Sequence, residues 1–129
     1  MEWDDGIRSK NGFTRKAKMI GPQDSLFEEL FPIVQVALEK LGVKDNFAVL
    51  GIYLNYLEDG DMYVPNHSHK GTQQLVISLG APRTLIIGKT RHRLESGDGA
   101  IFGSAIHGVP KQPELKEGRI SIATFMKRI

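Results

Sequence analysis

Hydrophobic positions change their spacing near Gly42. Before it, Ile33, Val34, Ala37, Leu38 and Leu41 recur at intervals of three and four, the signature of one helical face. Asp24 and Ser25 precede Leu26 and Phe27 in the manner of an N-cap, and Gly42 follows as a stop. The pattern predicts a helix over about 24–41, with Pro32 either kinking it or opening a second helix at its first position. The polar stretch ahead of it, dotted with Gly6, Gly12, Gly21 and Pro22, predicts an extended arm with room for one short strand.

Beyond Gly42 the helical period is gone. Phe47 to Tyr56 is a β-rich run, and Glu58-Asp59-Gly60-Asp61 is a turn signal. Gln74 to Leu79 and Arg83 to Ile87 read as short strands on either side of Gly80-Ala81-Pro82. Gly88 to Thr90 is a hairpin tip, Gly97-Asp98 a turn, and Gly99 to Phe102, Ile106 to Val109 and Arg119 to Met126 are further strands. Short strands with frequent turns predict a mainly β sandwich or barrel, with one helical region near the N-terminus.

Composition narrows the chemistry more than the fold. A chain of 129 residues suits one domain over 1–129, with the arm and helix occupying about 1–42. The absence of cysteine excludes disulfides, thiolate zinc sites and cysteine nucleophiles. A net charge of +2 permits contact with an anion but does not demand nucleic acid. The start lacks an apolar signal core and no apolar run reaches membrane-spanning length, so a soluble, cytoplasmic protein without a membrane partner is expected.

Three of the four histidines are candidates for chemistry. On a strand, His67 and His69 would point to the same face, and a third imidazole from a distant strand, His107, could complete one side of a metal coordination sphere. The plainer reading of the pair is a polar strand face, with His107 capping a loop. His92, between Arg91 and Arg93 at the hairpin tip, reads as solvated.

The surroundings of these histidines favour the metal. Asn55 ends a β-run, His67-Ser68-His69 follows a turn, and Ile77-Ser78-Leu79-Gly80-Ala81-Pro82-Arg83 comes next. Gly97-Asp98, His107-Gly108-Val109-Pro110-Lys111 and Gly118-Arg119-Ile120-Ser121 complete the series. In that order the chain, over roughly 47–127, resembles the AlkB-like branch of the iron- and 2-oxoglutarate-dependent oxygenases. The resemblance implies a double-stranded β-helix, that is, a jelly-roll or cupin-like barrel. It implies Fe(II) held by His67 and His107, and 2-oxoglutarate as co-substrate. Arg119, twelve residues after His107, would grip the far carboxylate of the co-substrate, and Asn55 would contact it.

The chain departs from that pattern in three places. His69 stands where the family has a carboxylate, giving a three-histidine set of His67, His69 and His107; Asp61 and Asp98 are the acids that could serve instead, and His69 is preferred. The tyrosine two residues after the asparagine is Leu57 here, and Tyr56 would face the other side of its strand. The second arginine of the closing strand is absent, with Phe125 or Met126 in its region. These departures leave two alternatives: a cupin-like three-histidine metalloenzyme that does not use 2-oxoglutarate, or a non-catalytic binding module on the same barrel. Lys70, Gln73, Gln74 and Arg83 could line the mouth of the site or be ordinary strand residues. The basic hairpin Lys89 to Arg93 could touch phosphate or be a solvated tip. A small molecule, a protein side chain and single-stranded nucleic acid all remain open as substrates.

Overall fold

The break in period at Gly42 is where the helix ends and the barrel begins. The computed structural model describes residues 3–9 and 12–129, the side chains of 4–13 excepted. Helix α1 spans Ser25–Lys40, and the Asp24 side chain accepts a hydrogen bond from Leu26 N at 2.9 Å. Gly42 takes a positive φ of 72°, which lets its N–H reach Glu39 O while Val43 N reaches Leu38 O. This paired closure satisfies the last carbonyls of the helix and depends on the left-handed freedom of glycine. The helix continues through Pro32 as one element. Its packed stripe is Leu26, Phe27, Leu30, Val34, Ala37 and Leu38. Ile33 and Leu41, which the spacing places on that face, remain 44% and 40% exposed. Ile33 lies at the margin of the stripe and Leu41 at the C-cap.

Ten strands accompany this helix in the described residues: β1 Asp4–Ser9, β2 Gly12–Ile20, β3 Phe47–Leu57, β4 Val64–His67, β5 Gln73–Gly80, β6 Arg83–Ile87, β7 Thr90–Leu94, β8 Gly99–Phe102, β9 His107–Val109 and β10 Arg119–Arg128. They form a six-stranded sheet in the order β1-β2-β3-β10-β5-β8 and a four-stranded sheet in the order β4-β9-β6-β7. From β3 to β10 the chain passes back and forth between the sheets, and every neighbouring pair is antiparallel. That is the double-stranded β-helix, as expected from the sequence. Two details differ. The N-terminal arm is a two-strand hairpin that extends the larger sheet, with Ala17 opposite Asn55 and Met19 opposite Tyr53. The basic stretch after Gly88 is not only a tip but strand β7, at the edge of the smaller sheet.

The larger sheet is buried on both faces, which is why β5 reads as a continuous apolar run rather than an alternation. Its outer residues Ile52, Leu54, Leu75, Ile77, Ile122 and Met126 form one core cluster, packed against the helix stripe. Its inner residues Leu57, Val76 and Ala123 join Leu85, Leu94, Phe102 and Val109 in a second cluster between the sheets. Arg83 ties loops together beneath the barrel. Its Nη1 donates to Asp59 O at 3.0 Å, and its Nη2 donates to Met62 O and, at 3.0 Å, to Pro110 O. Among the described residues no helix is long and apolar enough to cross a membrane.

Candidate metal centre

Strand pairing sets the first two histidines side by side. His67, the last residue of β4, is the direct partner of His107, the first residue of β9. Gly108 permits this closeness, since a Cβ there would collide with Asn66 and the Val64 carbonyl. His69 lies two residues past the end of β4, so its convergence comes from the turn of the chain rather than from strand alternation. The ring centroids are 4.3 Å apart for His67 and His107, 4.8 Å for His67 and His69, and 5.7 Å for His69 and His107. One ligand nitrogen from each ring lies within 4.8 Å of the other two, close enough to hold a single metal ion.

Two of the rings are tethered alike. His67 Nδ1 lies 2.7 Å from Pro65 O, and His107 Nδ1 lies 3.0 Å from Ala105 O. A carbonyl can only accept, so each Nδ1 carries the proton and each Nε2 keeps its lone pair for a metal. Burial lowers the His107 pKa; the Ala105 carbonyl opposes the shift, and the nearby His67 and His69 rings reinforce it. The His69 pKa is lowered by burial first and by His67 second. Both shifts favour the neutral imidazole that a metal requires.

The acids considered from sequence do not join this cluster. Asp61 is exposed in its turn, and the Asp98 carboxylate accepts from Glu95 N at the Gly97-Asp98 corner. The group is made of His67, His69 and His107 alone among the described histidines and acids. Where the second arginine would be expected, Phe125 sets its ring edge-on to His69 at 5.0 Å. The two departures therefore meet in space: a neutral ring replaces a carboxylate, and an aromatic side chain touches it where an arginine is missing.

The histidines face a cavity of about 520 Å³ between the two sheets. Strand register divides its wall on the larger sheet into levels. Gln74 and Phe125 pair at the histidine end. Met19, Tyr53, Ala123 and Val76 form the next level, and Asn55 and Ser121 the one after, in register with Ala17 and Ser78 of the flanking strands. Arg119 opens β10 at the far end. Its side chain is only 2% exposed, its Nε donates to Ser78 Oγ at 2.8 Å, and its Nη2 has no protein partner. Burial lowers its pKa to about 10, with Arg83 as a second cause, so it stays cationic at neutral pH. A buried guanidinium with an open N–H and no carboxylate beside it is costly unless an anion arrives. The cavity thus fits both implied groups: a divalent metal at the histidines and a carboxylate at Arg119.

Asn55 lines the same cavity, and its Oδ1 accepts from Arg15 Nε at 2.8 Å, leaving its amide N–H groups available. Of the residues considered for the mouth, Gln74 lines the cavity, buried and with Nε2 unpartnered; Lys70, Gln73 and Arg83 do not line it. Tyr56 stacks outside the barrel on Trp3 at 5.6 Å. His92 is exposed on β7. The sequence reading missed Tyr53 and Arg15. Tyr53 could have been found, because it lies two residues from Asn55 and so on the same strand face. Arg15 could not, because its segment was read as an arm without a face.

No protein-family model matches the chain, and no curated protein matches it in sequence. Solved structures do. KdgF from Halomonas sp. aligns over 100% of this chain and 88% of its own, with a TM-score of 0.59 and 13% identity. A predicted oxalate decarboxylase from Thermotoga maritima aligns over 88% and 82%, with a TM-score of 0.54 and 10% identity. The DMSP lyase DddQ from Ruegeria pomeroyi aligns over 64% of this chain at a TM-score of 0.50 and 18% identity, and the chain spans only 39% of that lyase. At these identities the likeness establishes the cupin-like, double-stranded β-helix fold and not an activity.

Proposed function

We propose that this protein is an Fe(II)- and 2-oxoglutarate-dependent oxygenase, with His67, His69 and His107 holding the metal. The observation that carries this reading is Arg119. It begins the strand after the third histidine, is buried in the cavity wall, and has an Nη2 without a protein partner. That group suits the far carboxylate of a diacid whose other end is directed to the histidines, with the Asn55–Ser121 and Tyr53–Ala123 levels between. Bound Fe(II) supplies the redox chemistry that couples decarboxylation of 2-oxoglutarate to insertion of oxygen into a C–H bond. The protein's own part is to hold the tautomers of His67 and His107, anchor the diacid, and enclose the reacting groups.

A second reading has its own support. A three-histidine set without a carboxylate, on a fold shared with KdgF and a predicted oxalate decarboxylase, suits a cupin-like metalloenzyme that needs no 2-oxoglutarate. Anaerobic titration separates the two. Under the first reading the Fe(II)-loaded protein binds 2-oxoglutarate with a visible charge-transfer band, and Arg119→Ala weakens that binding by at least tenfold while sparing Fe(II) affinity. In air it releases succinate. A protein that binds metal through His69 but shows neither band nor 2-oxoglutarate binding belongs to the second reading. One that takes up no Fe(II) is a binding module.

A further inference from the structure

Arg119 is not the only guanidinium on the cavity wall. Arg15 lines it too, from β2, a strand that lies outside the eight of the barrel proper. Lys16 pairs with Tyr56 and Arg119 with Leu57, so Arg15 starts within one residue of the level of Arg119, with β3 between them. At about 4.8 Å per strand, the two backbones are roughly 10 Å apart. The two guanidiniums also keep different contacts, Ser78 Oγ for Arg119 and Asn55 Oδ1 for Arg15. The contacts of Arg15 are neutral: Asn55 Oδ1 at 2.8 Å, Thr14 Oγ1 at 3.5 Å and the Tyr53 side chain. No acidic side chain lines the cavity among the described residues.

Between Arg15 and the histidines lies an apolar belt, Met19, Val76 and Ala123 with the Tyr53 ring, closed at the top by Phe125. A volume of about 520 Å³ is in the small-molecule range, far from what a folded partner needs. We infer that the oxidised substrate is a small carboxylic acid with an apolar body, its carboxylate paired with Arg15 and its body on this belt beneath the histidines. A planar guanidinium matches a carboxylate in two parallel hydrogen bonds, and the apolar belt discriminates against sugar phosphates and nucleotides. Specificity then sits on the N-terminal hairpin, while the barrel strands hold the metal and the co-substrate. This inference rests on the reading of Arg119 as the 2-oxoglutarate anchor.

The test uses the full chain loaded with Zn(II), which is redox-silent, and two matched probe pairs: 3-phenylpropanoate with 3-phenylpropanamide, and hexanoate with hexanamide. Calorimetry is run with and without saturating 2-oxoglutarate. The acids should bind at least tenfold more tightly than their amides. Arg15→Gln, which can still donate to Asn55, should erase that preference while leaving 2-oxoglutarate affinity within twofold, and Arg15→Lys should restore part of it. Equal binding of acid and amide, or a preference that survives Arg15→Gln, overturns the inference. So does a variant that loses 2-oxoglutarate affinity and keeps acid binding, since Arg15 would then only position Asn55. If wild-type protein binds the acids through Arg15 but never binds 2-oxoglutarate, the co-substrate reading fails and the acid site stands.

Discussion

Strand β10 carries two different proteins on its two faces. Outward, Ile122 and Met126 are buried under the helix among Ile52, Leu54, Leu75 and Ile77. Inward, Arg119, Ser121, Ala123 and Phe125 line the cavity. One residue of shift separates a side chain that contributes only packing from one that faces ligand. The outer face obtains its stability from apolar burial, at about 25 cal/mol per Å². The inner face spends some of that stability, because a buried guanidinium and an unpartnered Gln74 amide are unfavourable until something binds. The helix gives the larger sheet a second core that lies away from the cavity and offsets this cost.

The sharpest way to break this comparison is on the outer face. Ile122→Ala removes a 3%-exposed side chain from the helix-side cluster, and buried truncations of this size cost about 2–5 kcal/mol. Urea unfolding should show that loss, while metal affinity in the folded protein stays within about twofold. A large drop in metal affinity at native conditions would mean that the two faces are not independent.

A smaller and more specific effect is expected on the inner face. His69 and Phe125 contact each other where a carboxylate and an arginine would be expected together. Phe125→Arg alone places a guanidinium beside a dication and three neutral ligands, and should weaken Fe(II) binding by at least tenfold, about 1.4 kcal/mol. Adding His69→Asp supplies a carboxylate that offsets one unit of that positive charge and can pair with the new guanidinium, and should recover much of that loss in a double-mutant cycle. Strictly additive effects would show that the two positions do not act as a pair.

The legible part of this molecule was whatever strand periodicity could reach. From β3 onward, alternation and turn residues located six strands closely but not the short β4 or the polar edge strand β7, and the ordered motifs named His67, His107, Asn55 and Arg119, which line one cavity. His69 was placed for the wrong local reason, since it lies beyond β4 and not on it. The N-terminal hairpin was illegible because its polar, glycine-dotted sequence has no core of its own. It exists as strands by borrowing the edge of β3, a tertiary pairing that local propensity does not encode. With the hairpin went Arg15 and Met19, the two cavity residues it supplies.

The smallest expected effect concerns the histidine end alone. Folding lowers the pKa of His107 and of His69 below the ordinary imidazole value, chiefly by burial. For a base whose folded pKa is depressed, the unfolded chain takes up the proton first as pH falls. The contribution to stability is therefore complete above the unfolded value of about 6.5 and is lost as pH drops from there through the folded pKa. Metal-free protein should melt at a lower temperature at pH 5.5 than at pH 7.5, and the difference should shrink in His107→Gln, which has no proton to gain. Saturating Zn(II) should restore much of the melting temperature at pH 5.5, because bound metal excludes the proton from the same nitrogens. If the wild type and His107→Gln have the same pH slope, the buried imidazole is not the group being titrated. The division between a stabilising outer face and a ligand-dependent inner face would then have to be redrawn at the histidines.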